Sequence, residues 1–127
     1  NPMDINPSAN DKLHTDIVYT LVEDPNVDGV VIGLDPLSPA MQTLPAGVSN
    51  KDSIDATESI VQLLPNMIAN IKKPVIGVVD GGKLYDPMVE SMEKKGVLVF
   101  RSSDRAVTSL AKYINCRIHT EGIISRG

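Results

Sequence analysis

Three sets of side chains in this sequence have types and spacings suited to chemistry. They are the Gly81-Gly82 pair, the stretch Arg101-Ser102-Ser103-Asp104-Arg105, and the aspartates Asp4, Asp35 and Asp80. Paired glycines let a backbone approach a ligand closely, and they also serve a plain tight turn. Ser102 or Ser103 with Asp104 caps a helix through a side-chain oxygen. The unpaired amides at such a helix start suit anions, phosphate among them. Arg101 and Arg105 flank that turn and could hold a carboxylate or phosphate; a surface Arg also serves as an ion-pair partner. Each of the three aspartates follows or ends an apolar run. Gathered at one edge they would offer oxygen ligands to Mg²⁺; taken singly, each caps the next helix.

Nucleophilic catalysis is poorly served. His14 falls inside a helical run beside Leu13 and reads as a partly exposed bystander, and His119 lies near the C-terminus. Cys116 reads as a small buried filler at a helix end, with no His partner in view. No GxSxG elbow, GxGxxG fingerprint or GxxxxGK[ST] loop occurs.

The elements that must position these residues show in the apolar pattern. Val27–Leu34, Pro74–Val79 and Val97–Phe100 are continuous apolar runs, the pattern of strands covered on both faces. Asn1–Ile5 is a weaker strand candidate, with Pro2 at its start. Between them lie helical stripes: Leu13, Ile17 and Leu21; Ile60, Val61, Leu64, Ile68 and Ile71; Met88, Val89 and Met92; Val107, Leu110, Ala111 and Ile114. Pro65 should kink or interrupt the second. The starts fall at Ser8 or Asn10, at Ser53, at Asp86-Pro87 and at Ser102 or Ser103, and Gly96 marks a stop. Strand alternating with helix predicts right-handed crossovers and a parallel sheet. The expectation is a three-layer, doubly wound, flavodoxin-like α/β domain of about four βα units. Residues 35–52 form one long connection with Pro36, Pro39, Pro45 and Gly47, too proline-rich for a helix. In an open parallel sheet ligands bind beyond the strands' carboxyl ends, where residues 4–10, 35–44, 80–85 and 101–104 should converge.

Composition sets the outer bounds. The 127 residues make one domain, expected over 1–118, with 119–127 a polar tail. Net charge is −4, with no Lys/Arg run, so the basic face that nucleic acid requires is missing. Aromatics are 3%, few for a base-stacking platform. The apolar runs fall far short of the ~20 residues of a membrane-crossing helix. One cysteine excludes an internal disulfide and a thiolate zinc site. With no secretory signal read, the expectation is a cytoplasmic protein. The opening Asn1-Pro2, without an initiator Met, reads as a chain excised from something longer.

Four pieces in order carry a resemblance: Asn1-Pro2-Met3-Asp4, then EDPNVDGVVIGL (23–34), KPVIGVVDGG (73–82) and GVLVFRSSDRAVTSLAKY (96–113). Together they resemble the NDP-forming acyl-CoA synthetases, in their C-terminal flavodoxin-like CoA-ligase domain (the succinyl-CoA ligase type). The likeness runs from Asn1 to about Arg117. It implies a module of an enzyme that interconverts acid, CoA and ATP with acyl-CoA, ADP and phosphate. CoA, ATP/ADP and Mg²⁺ would then belong to the full-length enzyme rather than to this fragment. The implied partners are a Rossmann CoA-binding domain, a sibling ligase domain and an ATP-grasp portion. Asn1 and Asp4 match the family's Asn-Pro-x-Asp; Gly81 and Gly82 its Gly-Gly; Arg101, Ser102 and Arg105 its Arg-Ser-x-x-Arg turn, with Ser103 where relatives commonly carry Pro. These residues are the expected phosphate- or ligand-facing set. The phosphohistidine of the family sits in a Ser-His-Thr-Gly stretch that this sequence lacks, so no such role passes to His14 or His119. Relatives also carry a strand–helix unit ahead of Asn-Pro-x-Asp, so the resemblance implies a sheet short of its first strand–helix unit, with an exposed edge.

Two other functions compete. One is a non-catalytic binding or assembly module of the same fold. The other is a phosphoacceptor receiver domain, since Leu34-Asp35-Pro36 follows a strand; but Asp4 stands without an acidic neighbour, and the last strand ends in Arg101-Ser102 instead of Lys. None of these features encodes an oligomeric state.

Overall fold

A computed structural model describes residues 2–47 and 53–124. Asn1 and the end of the long connection lie outside the described residues. Three strands form one parallel sheet in the order β1 (Val30–Leu34), β2 (Val75–Val79), β3 (Leu98–Phe100). The register pairs Val30 with Val75 and Leu34 with Val79, then Ile76 with Leu98 and Val78 with Phe100. Among the described residues the α-helices are α1 (Asp11–Glu23), α2 (Ile60–Ile68), α3 (Asp86–Lys94) and α4 (Ser103–Ile124), with a 3-10 turn at Lys83–Tyr85 leading into α3. All three strongly apolar runs thus become strands. Residues 2–5 do not: the weak candidate there is irregular chain, so the sheet has three strands where about four βα units were expected.

Chain direction explains the layering. β1 to β2 and β2 to β3 step the same way across the sheet, so two right-handed crossovers put α2 and α3 on one face. Val18 and Val22 of α1 join that face. After β3 the chain turns back, and α4 lies on the other face against Ile76, Val78, Val31 and Phe100. β2, central in the sheet, is buried along its whole length, as its unbroken apolar run requires. Gly96, at φ 90°, makes the left-handed turn that ends α3 and starts the chain toward β3.

Two helices depart from their expected faces. In α1 the buried positions are Asp11, His14, Thr15, Val18 and Val22. The stripe Leu13, Ile17, Leu21 is rotated outward, with Leu13 45% exposed. His14 is consequently buried, not a partly exposed bystander, and its Nδ1 lies 2.9 Å from the Asn10 carbonyl oxygen. In α4 the stripe that looked cleanest is only half covered: Val107 is 56% exposed and Ala111 is exposed, Leu110 and Ile114 are half-buried, and Ala106 is fully covered. α4 continues to Ile124, so residues 119–124 are helical, and Cys116 is exposed on this helix rather than a buried filler.

Start signals come out by chemistry. Asn10, not Ser8, caps α1 by accepting the Leu13 N–H at 3.0 Å. Ser59, not Ser53, caps α2 by accepting the Val61 N–H. α2 is also uninterrupted at Pro65. A proline cannot donate to the carbonyl four residues earlier, here that of Val61, and the Lys95 Nζ donates to that carbonyl at 3.3 Å instead.

Candidate functional site

Parallel pairing places the ends Leu34, Val79 and Phe100 together, so the turns at Asp35, Asp80 and Arg101 share one rim. Specific contacts join them. The Ser38 hydroxyl donates to the Pro7 carbonyl at 3.1 Å, tying the 4–10 segment to the β1 turn. A Cβ on Gly81 would lie 2.8 Å from both a Pro36 ring carbon and the Tyr85 ring, so only glycine fits between the two turns. Arg101 closes the row by donating to the Gly81 and Gly82 carbonyls. The expected convergence of four segments is therefore present for the described parts of each.

The expected site residues fall in different situations. Asn1 lies outside the described residues. Asp4 is exposed on the irregular segment that lines the groove beside β1. Gly81 is half-buried, whereas Gly82 is exposed, and a Cβ there would meet nothing within 4 Å. Arg101 is half-buried and forms an ion pair with Asp86 at 3.1 Å. Ser102 is half-buried; Ser103 and Arg105 are exposed on the first turn of α4.

That first turn already holds a carboxylate. The Ser102 hydrogen bond holds the Asp104 carboxyl below its ordinary range against the opposing desolvation, with the Arg105 backbone N–H assisting. The negative charge that a helix start favours is thus supplied by the chain's own Asp104.

Of the three aspartates, Asp35 serves the backbone. Asp35 Oδ1 accepts the Leu37 N–H at 3.0 Å, a local Asx turn. Asp4 and Asp80 are exposed. Among the described residues no group of three or more His, Cys, Asp or Glu is placed to hold a metal, so the three aspartates do not form an Mg²⁺ site.

One carboxylate missed in sequence organises the loops behind the rim. Asp11, 2% exposed, accepts the Ile60 N–H on Oδ1 at 2.6 Å and the Gln42 N–H on Oδ2 at 3.0 Å. It binds the start of α1 to the start of α2 and to the long connection. Its only sequence signal was a place next to a helix cap, which does not announce burial.

Beside the rim, along the free edge of β1, runs an open groove of about 860 Å³. Ile17 and Leu21 of α1, Val107 and Leu110 of α4, and residues 2–7 line it. Residues 2–7 make no backbone hydrogen bond to β1. No helix among the described residues is long and apolar enough to cross a membrane.

No protein-family model, curated protein or solved structure matches this chain.

Proposed function

We propose that the chain is a flavodoxin-like module of an NDP-forming acyl-CoA synthetase, supplying a scaffold and a phosphate-facing wall rather than the phosphohistidine. The observation that carries the reading is the single rim. Residues 4–10, the β1 turn, Gly81-Gly82 and the Arg101–Asp104 turn adjoin one another at the carboxyl ends of parallel strands, where this architecture binds ligands. The resemblance supplies the reaction: acid, CoA and ATP to acyl-CoA, ADP and phosphate. No histidine stands among the rim turns to carry a phosphoryl group. His14 is buried in α1 and His119 is exposed far along α4. Catalysis would then require the partner domains.

A second reading, a non-catalytic assembly module, draws on the electrostatics. Arg101 is neutralised by Asp86, and Asp104 occupies the start of α4. One titration separates the two readings. Inorganic phosphate added to the ¹⁵N-labelled chain is expected to shift the Gly82, Lys83 and Ser103 amides saturably if the rim faces phosphate. No shift at the rim favours the assembly module. Acyl-CoA formation from acid, CoA and ATP by the 127-residue chain by itself would overturn both.

A further inference from the structure

We infer that Arg101 is a positioning residue for the Gly81-Gly82 turn, acting through the turn's backbone instead of touching an anion itself. The inference rests on the phosphate-facing reading only for the turn's purpose. The geometry stands without it.

The guanidinium sits where three parts of the chain meet. One nitrogen, Nη2, donates to the Gly81 carbonyl and, at 3.2 Å, to the Gly82 carbonyl. The same nitrogen lies 3.1 Å from Asp86 Oδ1 at the start of α3. The positive charge is thus matched by a carboxylate, and Nη2, which both bidentate forks of a guanidinium use, is committed to that carboxylate and two consecutive carbonyls. An arginine so engaged is poorly placed to receive phosphate, which binds arginine through a free fork of N–H groups.

Its effect on the turn follows from peptide geometry. A trans peptide is planar, so a carbonyl and the next N–H point in opposite directions. With the Gly81 and Gly82 carbonyls turned toward Arg101, the Gly82 and Lys83 N–H groups point away from it. Among the described residues neither N–H has a hydrogen-bond partner. Gly82 is exposed beside open space. On the other side, Pro36 and Tyr85 leave Gly81 no room to move toward them. The turn is therefore fixed from β1, from β3 and from its own following residues, and Arg101 is the clamp that sets which way its amides face. Lysine keeps the charge, but its Nζ stands one bond nearer the backbone than Nη2 and falls short of the point where both carbonyls and Asp86 are reached.

The test is the backbone signature of the turn in the 127-residue chain. In Arg101→Gln, the Gly81, Gly82 and Lys83 amide resonances are expected to shift or broaden while those of β2 and α2 stay in place. Arg101→Lys is expected to leave them displaced. Guanidinium ion added to Arg101→Ala is expected to move them back toward native positions, which a loss of general stability would not allow. Should the Arg101 variants fail to fold, Asp86→Asn is expected to move the same three amides by less. Native Gly82 and Lys83 positions in Arg101→Gln, or in Asp86→Asn where only that variant folds, overturn the inference. So does a saturable shift of the Arg101 guanidinium resonances by inorganic phosphate, which would make it an anion ligand. Phosphate that moves no amide counts against the phosphate-facing reading and leaves the clamp to be judged by the variants.

Discussion

The two faces of the sheet are held in different ways. On one, α1, α2 and α3 bury a continuous core in which Ile60, Val61, Leu64, Met88 and Met92 have no exposure at all. On the other, α4 covers Ile76 and Val78 with Ala106 and leaves Leu98 and Val107 more than half exposed. α4 is the longest helix of the four, yet its remaining apolar residues extend past the sheet: Ile118 is 61% exposed and Tyr113 50%. Helix length is therefore no guide to how much a helix stabilises. Burial of an apolar face is what counts. The bare side also borders the free edge of β1, so the half-covered face and the unpaired edge meet in the same groove.

The comparison breaks most directly on matched truncations. Leu64→Ala opens a cavity in the covered face and is expected to cost ~2–5 kcal/mol of unfolding free energy. Val107→Ala removes a side chain already largely in water and is expected to stay within ~0.5 kcal/mol. Urea unfolding of both variants measures the pair. Losses of similar size would mean that the α4 face is packed in solution, and the asymmetry would fall.

A second prediction sharpens what holds the covered face together. Besides apolar contact, it depends on the Asp11 carboxylate, which receives N–H groups from Gln42 and Ile60. Asp11→Asn keeps the size but offers one acceptor where two donors arrive, so an amide hydrogen must face an N–H. Hydrogen bonds to a charged acceptor are worth about 1.5–3 kcal/mol, and a loss in that range is expected by urea unfolding. A variant as stable as the parent would show that α2 does not need the pin.

How much was legible follows the same division. The strands announced themselves because β-branched runs such as Val75–Val79 have one use in a chain of this length, a buried parallel strand. α3 showed its face because Met88, Val89 and Met92 have no apolar competitor nearby. α1 misled because apolar residues lie on two adjacent stripes: His14, Val18 and Val22 are the buried ones, Ile17 and Leu21 are only partly covered beside the groove, and Leu13 is exposed. α4 misled for another reason: its clean stripe is real, but periodicity reports an apolar face, not whether anything lies against it. At the rim, glycine and arginine could be placed by their positions after strands. That Arg101 Nη2 donates to Gly81 and Gly82 was hidden, because the pairing spans about twenty residues and depends on the register of β2 and β3.

The smallest expected effect concerns the start of α4, where polar capping does work that burial does elsewhere. The Asp104 carboxyl is held below its ordinary value of 3.8, first by the Ser102 hydrogen bond, with desolvation opposing and the Arg105 backbone and charge assisting. A depressed folded-state value stabilises the charged form. Its contribution is present in full above the unfolded value and is lost as pH falls below 3.8 and through the lower folded value. Acidification is therefore expected to loosen the first turn of α4, read as movement of the Ser102, Asp104 and Arg105 amides in an NMR pH titration. Asp104→Asn is expected to flatten that response while leaving the Leu64 amide untouched. A midpoint at or above 3.8 for these amides would show that the cap does not favour the carboxylate. The start of α4 would then be fixed by the burial of Ala106 against Ile76 and Val78, without help from a charged cap.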